Sequence, residues 1–269
     1  MTAKRSSPSA FVVALLAIAI WLGPYVWMVM TSLRTLPEIM QSPTRLPAHP
    51  TLAAYREVFA SLPLAALFGV TTVMAVGIAC LQIILALPAG YALAKLDFRG
   101  KRAVFGLVVA CLLVPSQVTF VPTFLLLAKL SLVNTMTALI LPFGVSAFGT
   151  FLVRQALISV PDEIIEAARL DGASELTIVY RILGPILRPT LVSLFLLSFV
   201  FHWNDYFWPL VMTTDDRVRT LPLAVALFRE QGTGVRWHVV MAANVVLSLP
   251  ALALFAVAQR HILRAVAGR

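Results

Sequence analysis

Six long apolar runs alternate with short polar segments along the 269-residue chain. A helix needs about 20 consecutive apolar residues to cross the hydrocarbon core of a bilayer. The runs predict membrane-spanning helices at about residues 11–31, 67–94, 103–128, 135–153, 189–212 and 237–259. We therefore expect an all-α, polytopic membrane protein with six transmembrane helices, forming a single membrane domain over residues 1–269.

The composition supports a membrane protein. Hydrophobic residues make up 60% of the chain and charged residues 12%, with a mean hydropathy of +0.91. The charged share is roughly half that of an average soluble domain. The net charge of +9 would suit a nucleic-acid ligand, but the basic residues are scattered between apolar runs instead of lining one face, which argues against that class.

The basic residues favour one orientation in the membrane. Most of them fall in segments on the same side as the two termini. The short segment between the second and third runs is the sharpest case, with Lys95, Arg99, Lys101 and Arg102. Because cytoplasmic loops carry an excess of Lys and Arg, both termini are predicted to lie in the cytoplasm.

Two polar segments on the opposite side also carry helical patterns. Within residues 33–63, the stretch TLAAYREVF places Leu52, Tyr55 and Phe59 at helical spacing, and within residues 213–236, LPLAVALFRE is followed by GTG. We expect a short outer helix in each, the second ended by glycine. The pattern leaves open whether these helices only close loops against the bilayer or contact another protein.

Common catalytic and metal-binding motifs are absent from the sequence. The sequence has no HExxH, no GxSxG, no phosphate-binding GxxxxGK[ST] and no His/Cys cluster with metal-ligand spacing. Cys80 and Cys111 lie inside apolar runs, so we interpret them as small packing residues and expect no disulfide framework. The chain is predicted not to be an enzyme.

Ion-coupled transport would require charged residues inside the apolar runs, because a carboxylate near the bilayer midplane is the usual sign of a proton or sodium pathway. Asp205 is the one acid within a run. It lies near the outer end of the fifth run, beside the aromatic residues Trp203, Tyr206 and Trp208. This placement argues against a secondary transporter, which stays open as an alternative, as does a membrane scaffold without a transport role.

Residues 160–188, called here the acidic segment, form a folded polar stretch between apolar runs. Ser159, Pro161 and Asp162 match a capping-box pattern with proline in the first turn, which predicts a helix start. Gly172 stands where a left-handed residue would end that helix. A sharp turn between two short helices follows from this pattern.

The second predicted helix of the acidic segment starts at Ser174 and Glu175. Leu176, Val179, Tyr180 and Leu183 then follow at helical spacing, so they predict an apolar stripe that needs a partner.

The charge of the first helix distinguishes two locations for it. It carries the acids Asp162, Glu163, Glu166 and Asp171 against the single base Arg169. A helix lying on the inner leaflet is usually rich in Lys and Arg, and anionic lipid repels acids. The pattern therefore favours seating in a groove of another protein over a lipid-bound loop.

The acidic segment resembles the EAA loop of ABC importer permeases. EAARLDG, residues 166–172, is followed after nine residues by ILGP, and the one departure from the family pattern is Gly184, where leucine is common. The stretches GPYVWMVMTSLR, PTLAAYREVF, AGYALAKLDFRGKR, LLVPSQVTFVPTFLL and WNDYFWPL resemble the carbohydrate-uptake class, specifically the smaller, maltose-type second permease. The resemblance extends over nearly the whole chain.

The resemblance implies a permease subunit of a binding-protein-dependent importer in a bacterial cytoplasmic (inner) membrane, moving a sugar or sugar-like solute inward. The implied partners are a second homologous permease, two cytoplasmic ATPase subunits and an extracytoplasmic solute-binding protein. ATP and Mg would bind to the ATPase, and this chain would hold no cofactor. The first helix of the acidic segment would be the cytoplasmic coupling helix, with the interface residues Glu163, Glu166, Ala167, Ala168, Arg169, Asp171 and Gly172.

For the sugar path, Trp203, Asn204 and Asp205 combine hydrogen-bonding groups with an aromatic face suited to a sugar ring. Anchoring at the membrane interface is the alternative for the same residues. The second outer segment, residues 213–236, is expected to meet the binding protein. The identity of the sugar does not follow from the sequence.

Overall fold

The computed structural model describes residues 8–230 and 236–267, and helices form nearly all of the regular structure in them. The α-helices are α1 Pro8–Ser32, α2 Leu36–Gln41, α3 Ala53–Ser61, α4 Leu64–Lys95, α5 Lys101–Cys111, α6 Ser116–Lys129, α7 Met136–Ile140, α8 Ala147–Ile158, α9 Asp162–Leu170, α10 Glu175–Thr177, α11 Gly184–Ile186, α12 Arg188–Trp203, α13 Phe207–Met212, α14 Leu221–Glu230 and α15 Trp237–Ala267. A π-helical segment, Ile178–Leu183, joins α10 to α11. The described ranges contain no β-strand, and the all-α prediction is confirmed.

Three of the described helices are long and apolar enough to cross a bilayer, at Leu15–Ser32, Leu64–Lys95 and Trp237–Ala256. Three helix pairs meet the same criterion jointly but are bent at a short break. These pairs are Lys101–Cys111 with Ser116–Lys129, Met136–Phe143 with Ala147–Ile158, and Glu175–Ile186 with Arg188–Trp203. Counting each pair as one span gives up to six spans.

The third predicted span differs most from the continuous helix expected over residues 103–128. Helices α5 and α6 meet at 97°, and Pro115 stands at the break with extended backbone, φ −63° and ψ 136°. Proline lacks an N–H for the helix ladder and disfavours helical geometry in the residue before it. The apolar run therefore holds two helices instead of one.

The fifth predicted span, residues 189–212, is also divided. Helix α12 ends at Trp203 and α13 begins at Phe207. The Asp205 carboxylate accepts a hydrogen bond from the backbone N of Trp208 at 3.2 Å, so it satisfies a free N–H at the start of α13. The aspartate thus caps the start of a new helix inside an apolar run.

The chain divides into two compact units. The first unit consists of Met1–Leu64 and Ala224–Leu249. In it the buried Arg34 donates to the backbone oxygens of Glu38, Ser42 and Pro43 at 2.6, 2.6 and 3.0 Å, which satisfies carbonyls at the end of α2. The organisation of the whole chain as a single membrane domain stays a prediction.

The short helices predicted within residues 33–63 and 213–236 occur as α3 and α14. In α3 the buried residues are Ala54 and Val58, whereas Leu52 and Phe59 are exposed, so the large apolar residues do not form its buried face. The glycines expected to end α14 lie outside the described residues.

The second unit consists of Ala65–Leu223 and Pro250–Arg269. A buried apolar cluster in it combines α4, α8, α9 and α12 through residues such as Leu87, Leu157, Ile165 and Leu194. Helices α4 and α8 approach closely at Gly90, where an added Cβ would lie 2.7 Å from Val153 Cγ1. Small residues allow this close packing of membrane helices. By contrast, Cys80 and Cys111 are exposed, so their interpretation as packing residues was wrong.

Candidate functional site

Helix α9 begins directly after Pro161, whose backbone is extended. Asp162 and Glu163 lie in its first turn and Arg169 in its last, the arrangement that the helix dipole favours. The predicted cap by Ser159 was wrong. Ser159 ends α8 instead, and its hydroxyl donates to Ala156 O at 2.8 Å, since the connection between the two helices is too short to leave it free.

Gly172 ends α9 as predicted, with φ +79°. The backbone N of Ala173 donates to Ala168 O at 3.0 Å, the bond that closes a Schellman turn. Ser174 then starts the second helix, and its hydroxyl accepts from Thr177 N at 3.3 Å. The left-handed glycine and the new cap produce the sharp turn that the sequence indicated.

The predicted apolar stripe of the second helix was partly wrong. Val179 and Leu183 are buried, but Leu176 is 67% exposed and Ile178 takes its place in the core. The reason is the π-helical geometry of Ile178–Leu183, in which hydrogen bonds run from i to i+5 and shift the buried face. Pro185, which has no N–H to offer an α-helical bond, follows this segment.

Gly184 departs from the family pattern without disturbing the packing. A Cβ at this position would have one neighbour within 4 Å, Val179 O, at 3.7 Å, which is an ordinary contact. The site is neither crowded nor dependent on glycine.

The end of α4 holds α9 in place. Lys95 Nζ donates to Asp162 Oδ1 at 2.6 Å and to Val160 O at 2.5 Å. The Lys95 side chain is almost fully buried, whereas that of Asp162 is 71% exposed, so the ion pair is open to water on the side of the acid. The start of α9 is therefore fixed to the end of a long apolar helix.

A second connection spans the Gly172 turn. Tyr91 OH donates to Glu175 Oε2 at 2.6 Å and accepts from Arg169 Nη2 at 2.9 Å, while Arg169 Nε donates to Glu175 Oε1 at 2.9 Å. The Arg169 guanidinium, and then the Tyr91 hydroxyl, lower the pKa of the Glu175 carboxyl below its ordinary value. Three side chains from α4, α9 and α10 thus form one hydrogen-bonded group, called here the Tyr91 triad.

Most of the residues predicted to face an ATPase lie on the surface of α9 and its turn. The exposed ones are Glu163, Glu166, Ala167, Arg169, Asp171 and Gly172. Ala168 is buried in the same cluster as Ile165, three residues earlier on the same helix face, so it packs inside this chain and is not available to a partner.

Two leucines beside the turn add an apolar surface that the list of predicted interface residues did not contain. Leu170 is 89% exposed and Leu176 67% exposed. The signal was present in the sequence, since both are large apolar residues adjoining a glycine turn in a polar stretch. The exposed face of the acidic segment is therefore acidic with an apolar tip.

The residues predicted for the sugar path separate in the structure. Trp203 is buried and stacks on Phe199, with 5.4 Å between ring centroids. The Asn204 amide donates to Val200 O at 2.8 Å, one turn back in its own helix. Of the three, Asp205 lines a cavity.

This cavity, called here the aromatic cavity, has a volume of about 790 Å³. Its polar lining includes Gln82, Ser146, Ser198, His202 and Asp205. Its aromatic lining consists of Phe120, Phe143, Phe148, Phe201, Phe207 and Trp208. Such a mixture of aromatic faces and a few polar groups is typical of small-molecule sites.

Internal contacts fix part of the aromatic cavity. Gln82 Nε2 donates to Phe143 O at 2.9 Å, and Trp208 Nε1 donates to Ala138 O at 2.9 Å. The Phe143 ring lies edge-on to Trp208, with 5.3 Å between centroids. These bonds connect α4, α13 and the α7 region, and they hold the wall residues in place.

Unlike the bonded wall residues, two buried polar side chains of the cavity have an atom without a hydrogen-bond partner in the described part of the chain. Ser198 and His202 are 6% and 4% exposed, and they lie four residues apart on one face of α12. Within the described residues, Ser198 Oγ and His202 Nδ1 have no hydrogen-bond partner. Buried polar groups are nearly always paired. Both residues line the cavity, but these two atoms are closed to solvent, so a ligand can bond to them only after their side chains rotate.

Residues 82–268 match the family model described as binding-protein-dependent transport system inner membrane component. The chain is 32% identical over 242 residues to the arabinooligosaccharides transport system permease protein AraQ of Halalkalibacterium halodurans, covering 88% of this chain and 86% of that protein. It is 33% identical over 193 residues to the sn-glycerol-3-phosphate transport system permease protein UgpE of Yersinia enterocolitica, covering 71% and 69%.

The fold is also similar to a chain in the crystal structure of a bacterial ABC transporter involved in the import of the acidic polysaccharide alginate. The TM-score is 0.80 at 23% identity, covering 97% of this chain and 99% of that chain. The chain therefore belongs to the family of binding-protein-dependent transport system inner membrane components. The predicted family is confirmed, and the chain is a multi-pass membrane permease.

Proposed function

We propose that this chain is a permease subunit of a binding-protein-dependent ABC importer that moves a sugar or sugar-like solute into the cytoplasm. ATP hydrolysis takes place on a partner subunit, so this chain is a transport component and not an enzyme. Family membership and the similarity to an arabinooligosaccharide permease support the solute class. The observation that carries the mechanism is the exposed acidic face of α9 with Leu170 at its tip.

The acidic segment docks into a cleft of the ATPase. Glu163, Glu166, Ala167 and Asp171 supply the polar and low-profile surface, and Leu170 supplies apolar area. Burying one leucine side chain contributes about 1.5–3 kcal/mol, whereas an exposed ion pair contributes about 1 kcal/mol or less. The leucine therefore provides most of the affinity, and the acids orient the helix. ATP and Mg bind to the ATPase, and no cofactor binds here.

Movement of the ATPase reaches the membrane path through α4. The Lys95–Asp162 bond and the Tyr91 triad connect the acidic segment to this helix, and Gln82 of the same helix lines the aromatic cavity. A displacement of α9 is transmitted to a wall of the cavity through α4, in which Pro88 lies between Tyr91 and Gln82. Coupling can pass between two sites through a packed helix of this kind.

The complete importer contains a second homologous permease, two ATPase subunits and an extracytoplasmic binding protein, which contacts the outer segment of residues 213–236. It lies in a bacterial cytoplasmic membrane with both termini in the cytoplasm, since Lys and Arg concentrate in segments on that side.

The coupling proposal is tested at Gly172. Valine at φ +79° costs about 1–2 kcal/mol of backbone strain, although no atom lies within 4 Å of the new Cβ. In proteoliposomes holding the complete importer, Gly172→Val should lower ATP-driven uptake of arabinose oligosaccharides at least about tenfold and weaken retention of the ATPase.

Two matched variants control for the strain. Gly172→Asn should stay active, because asparagine tolerates left-handed backbone. Gly100→Val introduces the same strain at φ +85° in another polar segment, again with nothing within 4 Å, and should leave ATPase retention unchanged. Normal uptake by Gly172→Val would overturn the coupling role.

The orientation is tested by labelling single cysteines with an impermeant maleimide. Cys80 and Cys111 are first replaced by alanine, because both are exposed. A cysteine at Thr214 should react in intact cells, and one at Arg99 only after the membrane is permeabilised; both positions are exposed. The reverse pattern would contradict cytoplasmic termini.

A further inference from the structure

The charges of the residues that line the aromatic cavity indicate the charge of its ligand. The described residues that line the cavity include one acid, Asp205, and no Lys or Arg. We propose that the cavity binds an uncharged, hydroxyl-rich ligand, a neutral sugar, and excludes phosphorylated and uronate solutes. This inference rests on the proposed import function and specifies the solute at one site of that pathway.

The size of the cavity fits a ligand of this kind. Its volume of about 790 Å³ lies within the range of about 300–1,000 Å³ found for small-molecule sites. Phe201 and Phe207 are lining residues whose side chains are largely exposed, at 69% and 48%. Each ring has a neighbour with 5.1 Å between centroids, His202 for Phe201 and Phe120 for Phe207. The parts of the rings that remain exposed can cover the C–H surfaces of a sugar ring.

The unpaired polar atoms match hydroxyl chemistry. Ser198 Oγ both donates and accepts, and His202 Nδ1 does either according to its tautomer. A sugar hydroxyl likewise donates and accepts, so it can satisfy each atom, once its side chain rotates toward the cavity, without bringing in a charge. Two polar side chains at least nine-tenths buried thus contribute partners for a neutral ligand.

Asp205 provides the discrimination. Its carboxylate is half-buried and can accept a bond from a hydroxyl, but it repels a phosphate or a uronate in the same cavity. Like charges brought together at a binding site are a common way to reject wrong ligands. We expect anionic ligands to bind at least about 100-fold more weakly than the best neutral one.

Asp205 also caps α13, and this structural role must be separated from charge selection. Asparagine caps a helix about as well as aspartate and has no charge. Asp205→Asn should therefore change the affinity of a neutral sugar by less than about threefold and reduce the rejection of anions at least about tenfold. A purely structural role predicts no change in the ratio between the two ligand types.

The test measures ligand binding by isothermal titration calorimetry, without ATP, on the purified complex of the two permeases and two ATPase subunits, from which the binding protein is left out. The neutral probes are arabinobiose, maltose and sucrose, and the anionic probes are sn-glycerol 3-phosphate, trehalose 6-phosphate and digalacturonate. At least one neutral probe should bind, and every anionic probe should bind at least about 100-fold more weakly. Binding by no neutral probe, or equal binding by an anionic one, would overturn the proposal.

A further pair of variants assigns the binding to this chain. Phe201→Ala should weaken binding of the neutral probe about five- to tenfold, because the largely exposed ring covers the ligand. Phe255→Ala removes a similarly exposed ring outside the cavity lining and should have no effect. Unchanged binding to Phe201→Ala would exclude this cavity as the site.

The two proposals fail in different ways. ATP-driven uptake that responds to Gly172→Val, together with tight binding of an anionic probe, would leave the import function standing and refute charge selection. Selective binding of a neutral probe without ATP-driven uptake would refute the import function alone.

Discussion

The acidic segment and the aromatic cavity differ in the kind of group that each leaves without a partner. At the acidic segment Asp162 bonds to Lys95 of α4, and Arg169 and Glu175 bond to Tyr91 of the same helix. Two large apolar side chains, Leu170 and Leu176, are exposed there. In the aromatic cavity the buried polar atoms of Ser198 and His202 lack partners among the described residues.

This difference indicates two kinds of recognition. An exposed leucine gains free energy when another protein covers it, without requiring a specific geometry. A buried unpaired hydroxyl or imidazole gains free energy only when a ligand places a polar group at the right distance. The acidic segment is thus suited to docking a protein, and the aromatic cavity to selecting a small polar molecule.

The largest effect is expected at the apolar tip. Leu170→Asp should lower ATPase retention and uptake by about 10- to 100-fold, because it removes about 1.5–3 kcal/mol of burial and adds a carboxylate to an acidic face. The side chain is 89% exposed, so the folded chain itself should be unaffected. Affinity purification of the complex and uptake in proteoliposomes measure the two effects.

The matched control for this variant is Leu46→Asp, at a leucine that is 74% exposed in the polar segment of residues 33–63. Equal loss of ATPase retention from both substitutions would mean that the exposed tip has no special role. The acidic segment would then not be a specific docking surface for the ATPase.

A smaller effect is expected within the Tyr91 triad. Tyr91→Phe keeps the buried ring but removes the hydroxyl that bonds to Glu175 and Arg169. ATPase retention should persist, while the solute transported per ATP hydrolysed should fall about two- to fivefold, because both hydrogen bonds of the hydroxyl are lost. Tyr55→Phe, which removes a hydroxyl bonded to Ser32 at 2.7 Å, is the control and should transport normally. If Tyr91→Phe and Tyr55→Phe transported the same amount of solute per ATP, transmission through the triad would be contradicted.

The smallest effect concerns the cavity and compares two buried serines. Ser32 Oγ bonds to Val29 O at 2.6 Å and to the Tyr55 hydroxyl, so Ser32→Ala should cost about 1–2 kcal/mol of stability. Ser198→Ala removes an unpaired hydroxyl and should change stability by less than about 0.5 kcal/mol. Thermal unfolding in detergent measures both. A large loss of stability in Ser198→Ala would show that this hydroxyl serves the fold and not a ligand.

The acidic segment could be largely predicted because its signals are local. Gly172 adopts the left-handed backbone that the pattern indicated, and Ser174 starts the next helix. The prediction failed where the backbone departed from the α-helical period, since the π-helical segment replaced Leu176 with Ile178 in the core. It also failed at Ala168, because the sequence does not reveal which face of a short helix turns inward.

The cavity could not be predicted because its walls come from separated parts of the chain. Gln82, Phe143 and Ser198 belong to different helical regions, and only packing brings them together. Trp203 and Asn204 are adjacent to Asp205 in sequence but point to other environments, since the helix break directs three consecutive side chains differently.

By itself, the sequence determined the membrane class, the helical character and the exposed turn at Gly172, because apolar run length, proline and glycine act on neighbouring residues. The tertiary structure decided how the apolar runs break, which face of α9 remains free, and that Ser198 and His202 open on one cavity. These features depend on how close helices approach and where buried polar atoms find partners, which are properties of residues far apart in the chain.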